Sequence, residues 1–243
     1  MEAGQQYRPL AVFSLGDMML KSDLLLRIRD YTGAHAELGA AHHFTFDLPI
    51  VSGDAGAVCL LMGINPGETE EDRTVFPGPT EESSEYDFHT EILRRSGRMN
   101  RGRERWAAQA TFFTDGRTAR QSEFFFWSSP NSGQGFRERF GTSFGSSPHL
   151  RFCAEINLDL IKRVKPTVVL APGVNLGRRF SRLYGLTHLA SLHSDKGHRL
   201  VEHYEQSDGT PWLFTKHWTG AFGFSNEQRG QVRDYIRSLV DKI

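Results

Sequence analysis

The sequence predicts an α/β fold: a three-layer αβα sandwich around a short, mainly parallel four-stranded sheet. Three observations predict it. Four short runs are apolar on both faces, as strands of a covered parallel sheet are. Helical patterns stand between those runs, the alternation that builds sheets with helices on both faces. The least patterned stretches, 66–84 and 128–147, are rich in Gly, Pro, Ser and Thr, and each comes after a predicted strand.

In chain order, residues 22–40 read as an N-terminal helix. It belongs to a helical extension, residues 1–55, of one domain spanning 1–243. The first strand is Val58–Met62 and the second is Phe124–Trp127. Ser147-Pro148 then gives an N-cap with proline at the first helical position. Phe152, Ile156, Leu160 and Val164 recur at helical spacing, and Lys165-Pro166 stops that helix. The third strand is Thr167–Ala171, leading into a helix with Leu176, Phe180 and Leu183. The fourth is Trp212–Thr215. Ser225 and Gln228 form a capping-box pattern ahead of Val232, Tyr235, Ile236, Leu239 and Val240.

In open α/β sheets the ligand crevice lies outside the carboxyl ends of the strands. The loops leaving those ends are therefore the candidates for chemistry. After the first strand comes Gly63-Ile64-Asn65-Pro66-Gly67, which is also an ordinary strand-to-loop turn. After the second comes Ser128-Ser129-Pro130-Asn131, and after the third Pro172-Gly173-Val174-Asn175. After the fourth comes Lys216-His217-Trp218-Thr219-Gly220, where a histidine suits either catalysis or capping of the sheet edge.

Together these segments resemble the uracil-DNA glycosylase superfamily, closest to its mismatch-specific uracil/thymine branch. The resemblance spans roughly residues 56 to 243. Gly63–Gly67 resembles the first active-site motif. Phe76 stands where that branch carries an aromatic that stacks on the flipped base. Phe152 through Gly173 resembles the family's helix, its Lys-Pro strand start and the glycine after the strand. Trp212–His217 resembles the strand entering the second motif.

The resemblance implies a DNA glycosylase that hydrolyses the N-glycosidic bond of a flipped-out pyrimidine. Asn65 would orient the water and His217 would stabilise the departing base. Gly63, Ile64, Pro66, Gly67, Phe76, Trp127 and Ser128 would line the base. Lys216, Trp218, Thr219 and Gly220 would meet DNA. It implies a DNA partner, a monomer, no cofactor and no obligate metal. Uracil-specific members carry a bulky tyrosine where Gly67 stands, so the pocket is expected to accept thymine in a mismatch or a C5-modified pyrimidine such as modified cytosine. DNA repair and defence against modified foreign DNA both suit such a pocket. Two departures bear on this. The family's His-Pro-Ser becomes His217-Trp218-Thr219, with Trp218 either a wedge between bases or an aromatic packed under the loop. The usual base-reading asparagine gives way to Trp127 and Ser128.

Two other readings belong to different classes. The same fold without chemistry would make a binding module for modified bases or nucleotides. Gly141-Thr142-Ser143-Phe144-Gly145 matches a nucleophile elbow, making a serine hydrolase using Ser143 the second alternative, but the elbow needs a preceding strand. Histidines 188, 193, 198 and 203 recur every five residues, which is not metal-ligand spacing, and suit a polar loop or hairpin. No run of about 18 apolar residues and no clean signal-peptide core occur. Cys59 and Cys153 read as buried, reduced thiols. The expectation is a cytoplasmic protein without a membrane segment.

Net charge is zero, from 29 basic and 29 acidic residues. The zero hides a division. Residues 68–91 set nine acidic side chains against Arg73 alone, whereas 94–120 hold eight arginines against Glu104 and Asp115. Residues 137–199 hold eleven basic side chains against four acidic ones. The basic blocks suit phosphate attraction. The acidic block would repel DNA from one side or occupy the arginines until DNA arrives.

Overall fold

The computed structural model describes residues 15–51, 53, 57–70, 101–130, 133–218 and 224–241. Phe76, Thr219, Gly220 and the acidic stretch from residue 71 onward lie outside them, as do the arginines at 94, 95 and 98.

The elements run α1 (Leu15–Ala34), β1 (Leu48–Val51), β2 (Val58–Gly63), β3 (Gly67–Glu68), α2 (Arg101–Phe113), β4 (Thr118–Glu123), β5 (Ser129–Pro130), α3 (Gly133–Phe140), α4 (His149–Val164), β6 (Val168–Pro172), α5 (Leu176–Tyr184), β7 (Thr187–His193), β8 (Arg199–Glu205), β9 (Pro211–Thr215) and α6 (Asn226–Val240). The main sheet has the order β1-β4-β2-β6-β9-β8-β7. Its four central strands, β4, β2, β6 and β9, are mutually parallel. At one edge β1 joins antiparallel to β4, and at the other β8 and β7 continue antiparallel from β9. The α/β class holds, but the sheet has seven strands where four were expected.

Alternation along the strands divides the core. Leu60, Met62, Val169, Ala171, Trp212 and Phe214 pack into a cluster with residues of α1, α4 and α5. Cys59, Leu61, Val168, Leu170 and Leu213 pack into a second cluster with residues of α2 and α6. The first segment is more than a helical extension. It supplies an edge strand, and Leu24, Leu25 and Ile28 of α1 join the first cluster. Arg163 holds Asp23 with two hydrogen bonds of 2.6 and 2.7 Å, and Tyr31 stacks on Phe152 with centroids 3.7 Å apart, seating α1 on α4.

The second strand is the main correction. It runs Thr118–Glu123, not Phe124–Trp127. Its polar side chains are satisfied by partners far along the chain. Arg120 binds Asp47 through two hydrogen bonds, and Ser122 donates to Asn157 at 2.7 Å. Phe124–Trp127 lies just beyond the strand and is fully buried.

Two helix boundaries also bear on the sequence reading. α4 begins at His149 with Pro148 as its N-cap, one residue later than expected, and ends at Lys165 with a left-handed φ of 48°. α6 carries the full reciprocal capping box between Ser225 and Gln228. The histidine-rich stretch forms the β7–β8 hairpin, with register shifts near His188 and His193. Cys59 and Cys153 are free and buried, and burial pushes the Cys59 thiol up to about 11.

Candidate active site

Register puts the two proposed motifs on one edge. Leu61 lies beside Leu170, and Pro172 lies beside Thr215. The segments leaving β2 and β9 therefore depart from the same carboxyl end of the parallel strands. Between them Gly173 turns the chain at φ 146° and donates its N–H to Thr215 at 2.7 Å.

The Gly63–Gly67 segment is held by backbone bonds. Phe124 N–H donates to Gly63 at 2.8 Å, Phe125 to Ile64 at 3.0 Å and Ser129 to Pro66 at 3.1 Å. β3 and β5 then pair in parallel, Gly67 beside Ser129. Beyond them, Glu68 is clamped by Arg139 of α3 through contacts of 2.5 and 2.6 Å. The Glu68 side chain is fully buried, and Ser128 Oγ donates to it at 3.0 Å. This ion pair fastens the loop to α3.

Within that frame Asn65 donates from Nδ2 to Pro66 O at 3.1 Å and to Ser129 Oγ at 2.9 Å. With both amide hydrogens engaged, Oδ1 is the acceptor end of the side chain. An acceptor on a braced loop can orient a water by one of its O–H groups. His217 comes two residues after β9 and is exposed. Lys216 beside it is half-buried.

Three predicted site residues sit in the interior instead. Trp127 is 0% exposed. Its ring lies near Phe125, and its Nε1 donates to Thr32 at 2.9 Å. Ser128 Oγ accepts the backbone N–H groups of His42 and His43. These two residues are buried and brace the core. Of the two roles open to Trp218, packing under the loop is the one observed. It is 5% exposed, it stacks on Trp106 and Phe113, and its Nε1 donates to Thr215 Oγ1 at 2.8 Å. Ser143 comes after helix α3, not a strand, and its Oγ donates to Ser146; the elbow context is missing.

The sequence reading missed Glu123. It closes β4, beside Gly63 of β2. A Cβ added to Gly63 would lie 2.6 Å from Glu123 Cδ, so glycine is what admits the carboxyl at that spot. Glu123 is 3% exposed, and burial pushes its carboxyl up to about 8, with the Gln121 hydrogen bond opposing. It is therefore mostly protonated at pH 7. Trp106 Nε1 donates to Gln121 Oε1 at 2.7 Å, which turns the Gln121 amide nitrogen toward Glu123 Oε1 at 2.5 Å. Oε2 has no hydrogen-bond partner among the described residues. The signal in the sequence was modest: one acidic residue ending a polar stretch just ahead of an aromatic run.

Exposed Arg178 and Arg179 lie in the first turn of α5, behind the Gly173 turn. Arg199 reaches Asn175 at 3.3 Å. No group of three or more His, Cys, Asp or Glu among the described residues is arranged to hold a metal. Among the described residues, no helix is long and apolar enough to cross a membrane.

No protein-family model and no curated protein matches the chain.

Proposed function

We propose that this protein is a DNA glycosylase that hydrolyses the N-glycosidic bond of a flipped-out pyrimidine: uracil, mismatched thymine or a C5-modified pyrimidine. The observation that carries the reading is the common edge. The Asn65 loop after β2 and the His217 segment after β9 leave the same carboxyl end of four parallel strands, where ligands of open α/β sheets bind.

The reaction needs an oriented water at the anomeric carbon and a donor for the departing base. Asn65 Oδ1 supplies the first from a loop whose position is over-determined by backbone bonds. His217 supplies the second. Arg178, Arg179 and Lys216 draw in phosphate, and a charge-neutral chain with basic segments binds DNA in a salt-dependent way. On this reading the protein works as a cytoplasmic monomer, in repair or in defence against modified DNA.

The test is base release from oligonucleotides carrying uracil, mismatched thymine and modified cytosines. Release is expected, and Asn65→Ala or His217→Ala is expected to slow it by about 10²-fold or more. Release unaffected by either substitution refutes the role assignment. Binding without abasic-site formation refutes the hydrolase and leaves a base-binding module.

A further inference from the structure

We infer that Glu123 is a further catalytic residue, a general acid whose Oε2–H protonates the departing base. The inference rests on the proposed glycosylase activity and deepens it by naming how a poor leaving group is released.

Three features carry it. The first is place. Glu123 ends β4 in register with Gly63, the residue that opens the Asn65 loop. Its carboxyl occupies the space a side chain at Gly63 would need. The second is the hydrogen-bond relay. Trp106 fixes the Gln121 amide, which donates to Oε1. Oε1 is therefore the carbonyl end of the neutral acid and Oε2 carries the proton. Trp106 also stacks on Trp218, the residue after His217. The third is the orphaned atom. Oε2 is buried and without a partner among the described residues, which costs free energy unless a ligand meets it.

Among the described residues, few groups bear on its titration. On its own strand Gln121 hydrogen-bonds to it; α2 contributes Trp106, through Gln121; β2 contributes Gly63, with no side chain. Cys59, on the same face of β2, is a neutral thiol. Burial and the Gln121 bond are the influences on the carboxyl. An acid held neutral by an apolar site donates where an ionised one would repel the forming anion.

Atoms and electrons balance in this step. The C1′–N1 bond breaks and its electron pair goes to the base. The Oε2 proton moves to an acceptor nitrogen or oxygen of that base, leaving a carboxylate. The water oriented by Asn65 adds its oxygen to C1′ and gives up a proton, which restores the acid. One water is consumed, and a neutral base and an abasic sugar result. An aminopyrimidine such as a C5-modified cytosine is a poorer leaving group than a uracil, so it depends more on this proton.

The experiment compares release of 5-hydroxymethylcytosine and of 5-fluorouracil from matched oligonucleotides, across about pH 5.5–9.5, a range that brackets the titration of a raised carboxyl. The proteins are wild type, Glu123→Gln and Glu123→Asp. Glutamine preserves shape and the bond from Gln121 but has no acidic proton. It is expected to slow release of the cytosine by about 10²- to 10⁴-fold and of fluorouracil by less than about tenfold. The wild-type rate is expected to fall above about pH 8, and that fall is expected to vanish in Glu123→Gln. Aspartate keeps an acid and is expected to retain part of the rate. Equal losses on both bases, or a wild-type release that Glu123→Gln leaves unchanged, overturn the inference alone. A wild type that releases no base from any oligonucleotide overturns the glycosylase reading, and the acid's role with it.

Discussion

Replacing Glu123 with glutamine is expected to stabilise the fold above pH 8 and to change it little at pH 5. The carboxyl is buried at the end of β4 and is held protonated up to about 8, against an ordinary value of 4.5. Between those two values the folded chain binds a proton that the unfolded chain has lost. Stability therefore falls as pH rises from about 4.5 to about 8, and stays reduced above. At about 1.4 kcal/mol for each pH unit of that interval, the ceiling is about 5 kcal/mol, with local relaxation and water entry lowering it. Glutamine carries no charge at any pH and can accept the same hydrogen bond from Gln121. Urea unfolding of both proteins at about pH 5, 7 and 9 would measure this. The two are expected to be close at the lowest pH and to diverge steadily, the variant being the more stable at the highest. For a chain of this size each kcal/mol corresponds to about 2–4 °C in Tm. Parallel stability curves across the range, or a variant weaker at every pH, would refute the account of Glu123 as a buried neutral acid.

Two further predictions concern the frame of the Asn65 loop. Arg139→Ala removes the guanidinium that pairs with the fully buried Glu68 side chain and is expected to cost about 3–5 kcal/mol; Glu68→Gln with Arg139→Met should recover much of it in the same denaturant titration. Gly63→Ala drives a methyl group into the Glu123 carboxyl and is expected to cost about 1–3 kcal/mol by overpacking. Adding Glu123→Ala should relieve that loss, so a double-mutant cycle read by thermal unfolding should show strong coupling, and additive losses would contradict the contact.

Much of the scaffold was readable because its causes are local. β2, β6 and β9 are short apolar runs bounded by turn residues, and an apolar run needs no knowledge of its neighbours to be recognised as buried. The capping box at Ser225 is a four-residue motif closed within itself. Gly63–Gly67 and His217 were singled out in the same way, by position just after a strand. β4 escaped because apolarity was the criterion. Thr118–Glu123 is polar, yet its strand is stabilised by Asp47, Asn157 and Trp106, residues 73, 35 and 15 positions away. The aromatic run after it imitates a strand because loops, too, can be buried when their backbone groups are paired.

The sequence by itself determined the α/β class, the parallel centre and which loops deserve scrutiny, since hydrophobic period and turn chemistry act over a few residues. Only the tertiary structure decided which side chains near the strand ends are buried and which remain at the surface. Trp127, Ser128 and Trp218 lie near strand ends just as Asn65 and His217 do, but packing draws them inward, where Thr32, the His42–His43 backbone and Thr215 satisfy their polar atoms. Glu123 shows the same dependence on folding: burial removes the water around its carboxyl and pushes it up to about 8, which its sequence position alone does not announce.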